Sequence, residues 1–259
     1  MAVLRGTVGH LIEPTPENKS VRIKGFDTTS HVSKAQAAAM KDDGYQFCVR
    51  YLSLGEKEKD EDLSFDEAQN ILDGGLALMA CQHVPFPGWI PTRQQGRERG
   101  ENARKHAKTC GFPPGVNIWL DLEGINQSQQ NNDSEIIAYC NAWFDAVAQF
   151  GYVPGIYLGF NIWLTGSQIF HLLKFRHYWK APGEIPEIEI RGYQIFQAYT
   201  VDKNGKTVNG LLDGMLFDND KFIFIPPKRK RFPHGLDVDD NVAFLDQLLE
   251  SPFVIKPNN

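Results

Sequence analysis

The chain has 259 residues, 42% of them hydrophobic and 23% charged, with a formal net charge of −5. That balance describes an ordinary globular chain and excludes a nucleic-acid-binding surface built on bulk positive charge; the longest apolar runs also fall short of the roughly 18 residues of a membrane span. The length suits one α/β barrel, which takes about 250 residues.

Residues 1–20 are polar and proline-containing and read as an N-terminal arm; their short, interrupted apolar stretch is not a secretory signal. A strand is expected at 21–26 running into Asp27, then an alanine-rich helix at 33–43 with Ser30 or Ser33 as its cap. A second strand follows at 46–52. Ser64 opens the next helix, through 72, with Glu67 at capping-box spacing and Gly74 and Gly75 ending it. A third strand at 76–82 leads through the loop HVPFPGWIP to a polar helix at 93–109, in which Ala103 and Ala107 leave only a narrow packing face.

The strand at 116–120, within GVNIWLDLEG, opens into Asp121 and Glu123. Side chains two apart on a strand share a face, with attachment points roughly 6.5 to 7 Å apart. Two carboxyls crowded in one space repel, so one stays protonated near neutral pH while its neighbour stays charged. Glycosidic bond cleavage requires that division of roles.

A helix capped by Asp133 or Ser134 runs to 150, followed by a strand at 155–159, a helix near 162–173, and strands at 177–180 and 193–198, with the last barrel strand expected at 215–217. About eight alternations of strand and helix define a single (β/α)8 TIM-type barrel over 21–225. Residues 226–259 read as a basic linker, PPKRKRFPHG, and an amphipathic C-terminal helix packing on the barrel, with Asp237 as cap and Val238, Val242, Leu245 and Leu249 at helical spacing. The KRKR run reads as a solvated linker. Cys48, Cys81, Cys110 and Cys140 lie in or beside apolar segments without CxxC spacing and are expected as reduced core residues.

Barrels of this kind carry their active sites at the C-terminal ends of the strands. Asp27, Asp121, Glu123 and Asp218 all follow strands and are expected at one rim. Arg50, at the end of the second strand, is expected either to pair with those acids or bind an acidic group, or to form a structural salt bridge. Tyr157, Trp179 and Trp89 are candidates for stacking on sugar faces. His83, at the rim and without metal-site spacing, is expected as a hydrogen-bonding residue that contacts substrate, and neither metal nor cofactor is expected.

The segments IKGFDTTSHVSK, FCVRYLS, GVNIWLDLEG, GYVPGIYLG, IFQAYT and GMLFDNDKF resemble glycoside-hydrolase-like barrels related to the family 25 lysozymes, over about 21–222. The resemblance implies Glu123 as general acid and Asp121 as the group that polarises an acetamido substituent or stabilises oxocarbenium-like charge. Asp27 and Asp218 would hold the protonation pattern, Asp220 stands where the lysozymes often carry asparagine, and Gln197 matches a glutamine lining such sites. The first strand continues as GFDTTSHVSK rather than toward the lysozymes' Gln-Gly pair, which is more similar to an uncharacterised glycoside-hydrolase-like subfamily.

The function expected is hydrolysis of β-1,4 bonds in an amino-sugar polymer, peptidoglycan above all. A non-catalytic glycan-binding or structural barrel and a metal-dependent hydrolase are the rival readings of the same acids. The expected partner is a polysaccharide and not nucleic acid, with the protein a monomer made in the cytoplasm and delivered to the cell wall by phage lysis or a secretion system.

Overall fold

A computed structural model describes residues 2–188, 191–197, 199–201, 207–209, 216–218, 221–223 and 233–258. The elements follow in chain order: β1 (Thr7–His10), β2 (Ile23–Thr28), α1 (Lys34–Asp42), β3 (Phe47–Leu52), α2 (Phe65–Asp73), β4 (Ala77–Gln82), α3 (Arg93–Thr109) and β5 (Asn117–Leu122). Then come α4 (Asp133–Ala148), β6 (Val153–Leu158), α5 (Gly166–Leu172), β7 (His177–Lys180), β8 (Ile195–Gln197), β9 (Tyr199–Val201), β10 (Thr207–Asn209), β11 (Leu216–Asp218), β12 (Lys221–Ile223), β13 (Asp239–Ala243) and β14 (Phe253–Lys256).

Strands β2 to β8 form a parallel series, and β13 closes the barrel by pairing antiparallel with both β8 and β2. The expected C-terminal helix is therefore corrected to a strand. Val238 and Val242 satisfy a helical period, yet Asp239, Asn241 and Ala243 also alternate with Asp240 and Val242, and the open edges of β2 and β8 decide in favour of the strand. The strand expected at 215–217 forms instead as β11, paired with β12 in a separate two-stranded sheet. The N-terminal arm is also structured: β1 pairs with β14, which bonds to β4 through Ile255 opposite Leu78 at the lower end of the barrel.

Local sequence explains the helix starts. Ser33 and Thr165 form capping boxes with Gln36 and Gln168. Ser64 accepts from the Glu67 N–H, but the Glu67 carboxylate does not return to the cap, because it is taken by Arg50. The polar helix α3 packs on α4 through backbone as much as side chains: a Cβ at Gly96 would lie 2.2 Å from the Tyr139 carbonyl oxygen, and one at Gly100 2.7 Å from that of Trp143.

Within the barrel, Gly25 leaves room for the Phe47 ring and Gly155 for the Trp119 indole. Trp119 and Trp179 meet edge to face at 5.9 Å, and the Trp119 Nε1–H points at Met79 Sδ. This apolar layer is the floor on which the next layer, toward the strand ends, rests. All four cysteines are buried and free. No helix among the described residues is long and apolar enough to cross a membrane.

Candidate active site

The layer above Trp119 and Trp179 is acidic. Asp27, on β2, is buried, and its carboxylate accepts from three side chains: Asn241 Nδ2 at 2.8 Å and Gln197 Nε2 at 3.1 Å on Oδ1, and Tyr51 Oη at 2.8 Å on Oδ2. Burial raises the Asp27 pKa, and the three donors offset part of that by favouring the anion. Asp121, on β5, is also buried, and its Oδ1 has no hydrogen-bond partner among the described residues. Burial, followed by repulsion from Glu123 and Asp27, pushes its carboxyl well above the usual range.

Glu123 leaves the end of β5 half-buried, and burial followed by the charge of Asp27 pushes it up to about 7. Its side chain lies over Gly159, where a Cβ would come within 2.2 Å of Oε2. The backbone around it is held from both sides: Trp89 Nε1 donates to the Glu123 carbonyl at 2.8 Å, Gly88 N to the Gly124 carbonyl at 2.7 Å, and Gly124 N to the Phe160 carbonyl at 2.8 Å.

A fourth acid arrives on the closing strand. Asp239 stands directly opposite Asp27 in the β13–β2 ladder, half-buried. Burial, then the charges of Asp27, Asp237 and Glu123, push it up to about 7. One space thus holds Asp121, whose pKa is raised by burial and by its acidic neighbours, and two more carboxyls, Glu123 and Asp239, balanced between acid and base at neutral pH. The arrangement has the proton inventory for acid/base catalysis.

Of the residues anticipated from sequence, Asp27, Asp121, Glu123, Tyr157 and Gln197 come together, with Tyr157 Oη donating to Gln197 Oε1 at 2.8 Å. Asp218 ends β11, outside the barrel sheet, and its side chain lies outside the described residues. Asp239, with Asn241 two residues on, is the acid that the closing strand sets opposite Asp27.

Of the roles expected for Arg50, the structure shows the structural salt bridge. Arg50 alternates with Tyr51 on β3, so Tyr51 faces the acids while Arg50 faces outward under α2. There it is fully buried, bonding Glu67 at 2.6 Å and the carbonyls of Thr28 and Glu61. Trp179 is corrected: it is fully buried with Nε1 on Asn241, so no sugar reaches its face. Trp89 is 8% exposed and packs against Tyr139 and Arg99, leaving it to hold Glu123 rather than stack on substrate.

His83 stacks on Tyr51 at 4.7 Å, with Nε2 3.5 Å from Asp62, and burial lowers its pKa, which keeps it neutral at pH 7. It backs the Tyr51 ring. Among the described residues no group of three His, Cys, Asp or Glu side chains is arranged to hold a metal ion.

The residues the sequence reading passed over are Asp239, Asn241 and Tyr51. A signal existed for each: the D-x-N spacing within DVDDNVA, and the alternation that sets Tyr51 opposite Arg50.

A family model described as Rv2525c-like, glycoside hydrolase-like domain matches residues 38–222. No curated protein sequence is detectably similar to the chain. Among solved structures, the chain is similar to the Tat-secreted protein Rv2525c of Mycobacterium tuberculosis in complex with L-tartrate, at 15% identity over 84% of this chain and 93% of that one, TM-score 0.57. An uncharacterised B. stearothermophilus protein aligns at 18% identity over 85% and 95% of the two chains, TM-score 0.53. The catalytic domain of endolysin ply40, from bacteriophage P40 of Listeria monocytogenes, aligns at 19% identity over 89% and 96%, TM-score 0.52.

Proposed function

The chain belongs to the Rv2525c-like, glycoside hydrolase-like domain family, and we propose that it hydrolyses β-1,4-glycosidic bonds in an amino-sugar polymer of the peptidoglycan class, acting as a monomer. The observation that carries this reading is the half-buried Glu123 carboxyl at the end of β5 beside the buried Asp27 and Asp121, where burial and the charge of Asp27 push it up to about 7. A carboxyl with that pKa still holds a transferable proton at neutral pH, as a general acid for a glycosidic oxygen must.

In this mechanism Glu123 protonates the leaving oxygen. Asp121, buried and with Oδ1 unpartnered among the described residues, hydrogen-bonds and polarises the substrate's acetamido group. Asp27, held by its three donors, supplies the fixed charge facing the developing positive charge on the sugar ring. Asp239, opposite Asp27 and sensitive to the charge of Glu123, takes the proton of the attacking water.

Work on a cell wall requires passage out of the cytoplasm, and delivery by phage lysis or a secretion system is part of the proposal. Similarity to a Tat-secreted protein and to the catalytic domain of a phage endolysin supports it.

The test compares turbidity loss and muropeptide release from purified cell walls by the wild type, Glu123→Gln and Asp121→Asn. Wild-type release that both substitutions abolish is the expected result. Equal behaviour of all three removes the catalytic reading, and glycan retention without release would favour a binding module.

A further inference from the structure

The aromatic side chains exposed at the mouth differ from those the sequence singles out. Tyr157, Trp179 and Trp89 are all buried, whereas Phe86 is 91% and Phe160 49% exposed. Both belong to the loops that grip the Glu123–Gly124 turn. Phe86 precedes Pro87, which lies against Gly124, and Gly88 N bonds the Gly124 carbonyl. Phe160 follows Gly159, against which the Glu123 side chain packs, and its own carbonyl accepts from Gly124 N. Since β4, β5 and β6 are neighbours in the barrel, the loops that carry the two phenyl rings flank the strand that carries the acid.

The two rings are presented on fixed backbone. Phe86 lies between Pro85 and Pro87, whose φ angles are locked, and a bridge between Trp89 and Ile125 anchors the loop that carries it. Ile90, 50% exposed, extends the apolar surface on the β4 side. Exposed phenyl rings forgo the stabilisation of burial, and preformed ones bind a ligand without an ordering penalty.

We propose that Phe86 and Phe160 are two sugar-stacking platforms flanking Glu123, so that the site takes an extended β-linked glycan across the mouth and cuts within it. This rests on the glycan-hydrolase reading. A β-linked pyranose offers a flat C–H face with its polar groups around the edge, which suits a solvated phenyl ring. The acid layer between the platforms disfavours polyanions by repulsion, pointing to neutral, N-acetylated units. A protein or lipid partner calls for a continuous apolar patch, whereas these rings are separated by the polar Glu123 turn.

Calorimetric titration of the Glu123→Gln protein with β-1,4-linked N-acetylglucosamine oligosaccharides, from the disaccharide to the hexasaccharide, tests this. Affinity is expected to rise with chain length, and adding Phe86→Ala or Phe160→Ala should weaken hexasaccharide binding about fivefold each while leaving disaccharide binding and thermal melting unchanged. No binding, length-independent binding, or unchanged hexasaccharide affinity in both variants overturns the platforms. Phenylalanine-dependent binding with no product release by the wild type keeps the platforms and removes the hydrolase reading. Hydrolysis with unaltered KM in both variants does the reverse.

Discussion

Replacing Glu123 by glutamine is expected to stabilise the fold at alkaline pH and not at acid pH. The carboxyl has an ordinary value of 4.5 and is pushed up to about 7 in the folded protein, so between those values the folded chain holds a proton that the unfolded chain releases. Stability therefore falls as pH rises through that window; below about 4.5 the group contributes no penalty, and above about 7 the penalty is complete. The full difference corresponds to roughly 3 kcal/mol, and solvent contact of the half-buried side chain reduces it to roughly 1–2 kcal/mol. For a chain of 259 residues that is a melting difference of roughly 3–6 °C. Thermal melts of wild type and Glu123→Gln followed by circular dichroism should coincide near pH 4.5 and separate by that amount near pH 8. An offset that does not change with pH would refute the placement of Glu123 among buried, repelling acids.

Two further substitutions separate the frame from the site. Arg50→Ala leaves the Glu67 carboxylate buried without its cation and should cost about 3–5 kcal/mol by chemical denaturation, whereas Arg50→Met with Glu67→Gln should recover most of it; a cost below about 1 kcal/mol for the single variant would remove the structural assignment of Arg50. Gly159→Ala introduces a Cβ into the space of the Glu123 carboxyl and should lower kcat about a hundredfold and, because the new Cβ would also lie 2.5 Å from the Glu123 Cβ, lower the melting temperature, an unchanged kcat being the refuting result.

The parallel part of the fold was legible because each strand and helix carries its own local signal. Ser33 and Ser64 cap helices at the expected places, and the apolar run ending in Asp121 leaves its acids at a strand end. What local patterns do not carry is which face a rim residue takes or how deeply it is covered. Arg50 and Tyr51 are adjacent on one strand, and only pairing with β2 turns Tyr51 toward Asp27 and Arg50 toward α2. Trp89 and Trp179 suited sugar stacking by residue type, but their indole N–H groups are spent on Glu123 and Asn241, and their faces lie within the protein.

The fourth acid among the described residues, Asp239, reaches the site by a route that reasoning from strand ends does not anticipate. The rule that active-site residues lie at the C-terminal ends of barrel strands holds for strands that run parallel. By that rule a fourth acid is expected after a final parallel strand, where the sequence offers Asp218. The strand that closes this barrel runs the other way, so it is its first residue, Asp239, that reaches the mouth, and the ladder sets it against Asp27. Like charges directly opposite each other in a sheet are destabilising. The strand offsets this with its own Asn241, which donates to Asp27 and accepts from Trp179, joining the acid layer to the apolar floor beneath it. The reversed strand therefore closes the barrel, adds the fourth carboxyl and supplies a donor that favours the Asp27 anion. The protonation pattern of the site thus depends on the same pairing that completes the fold.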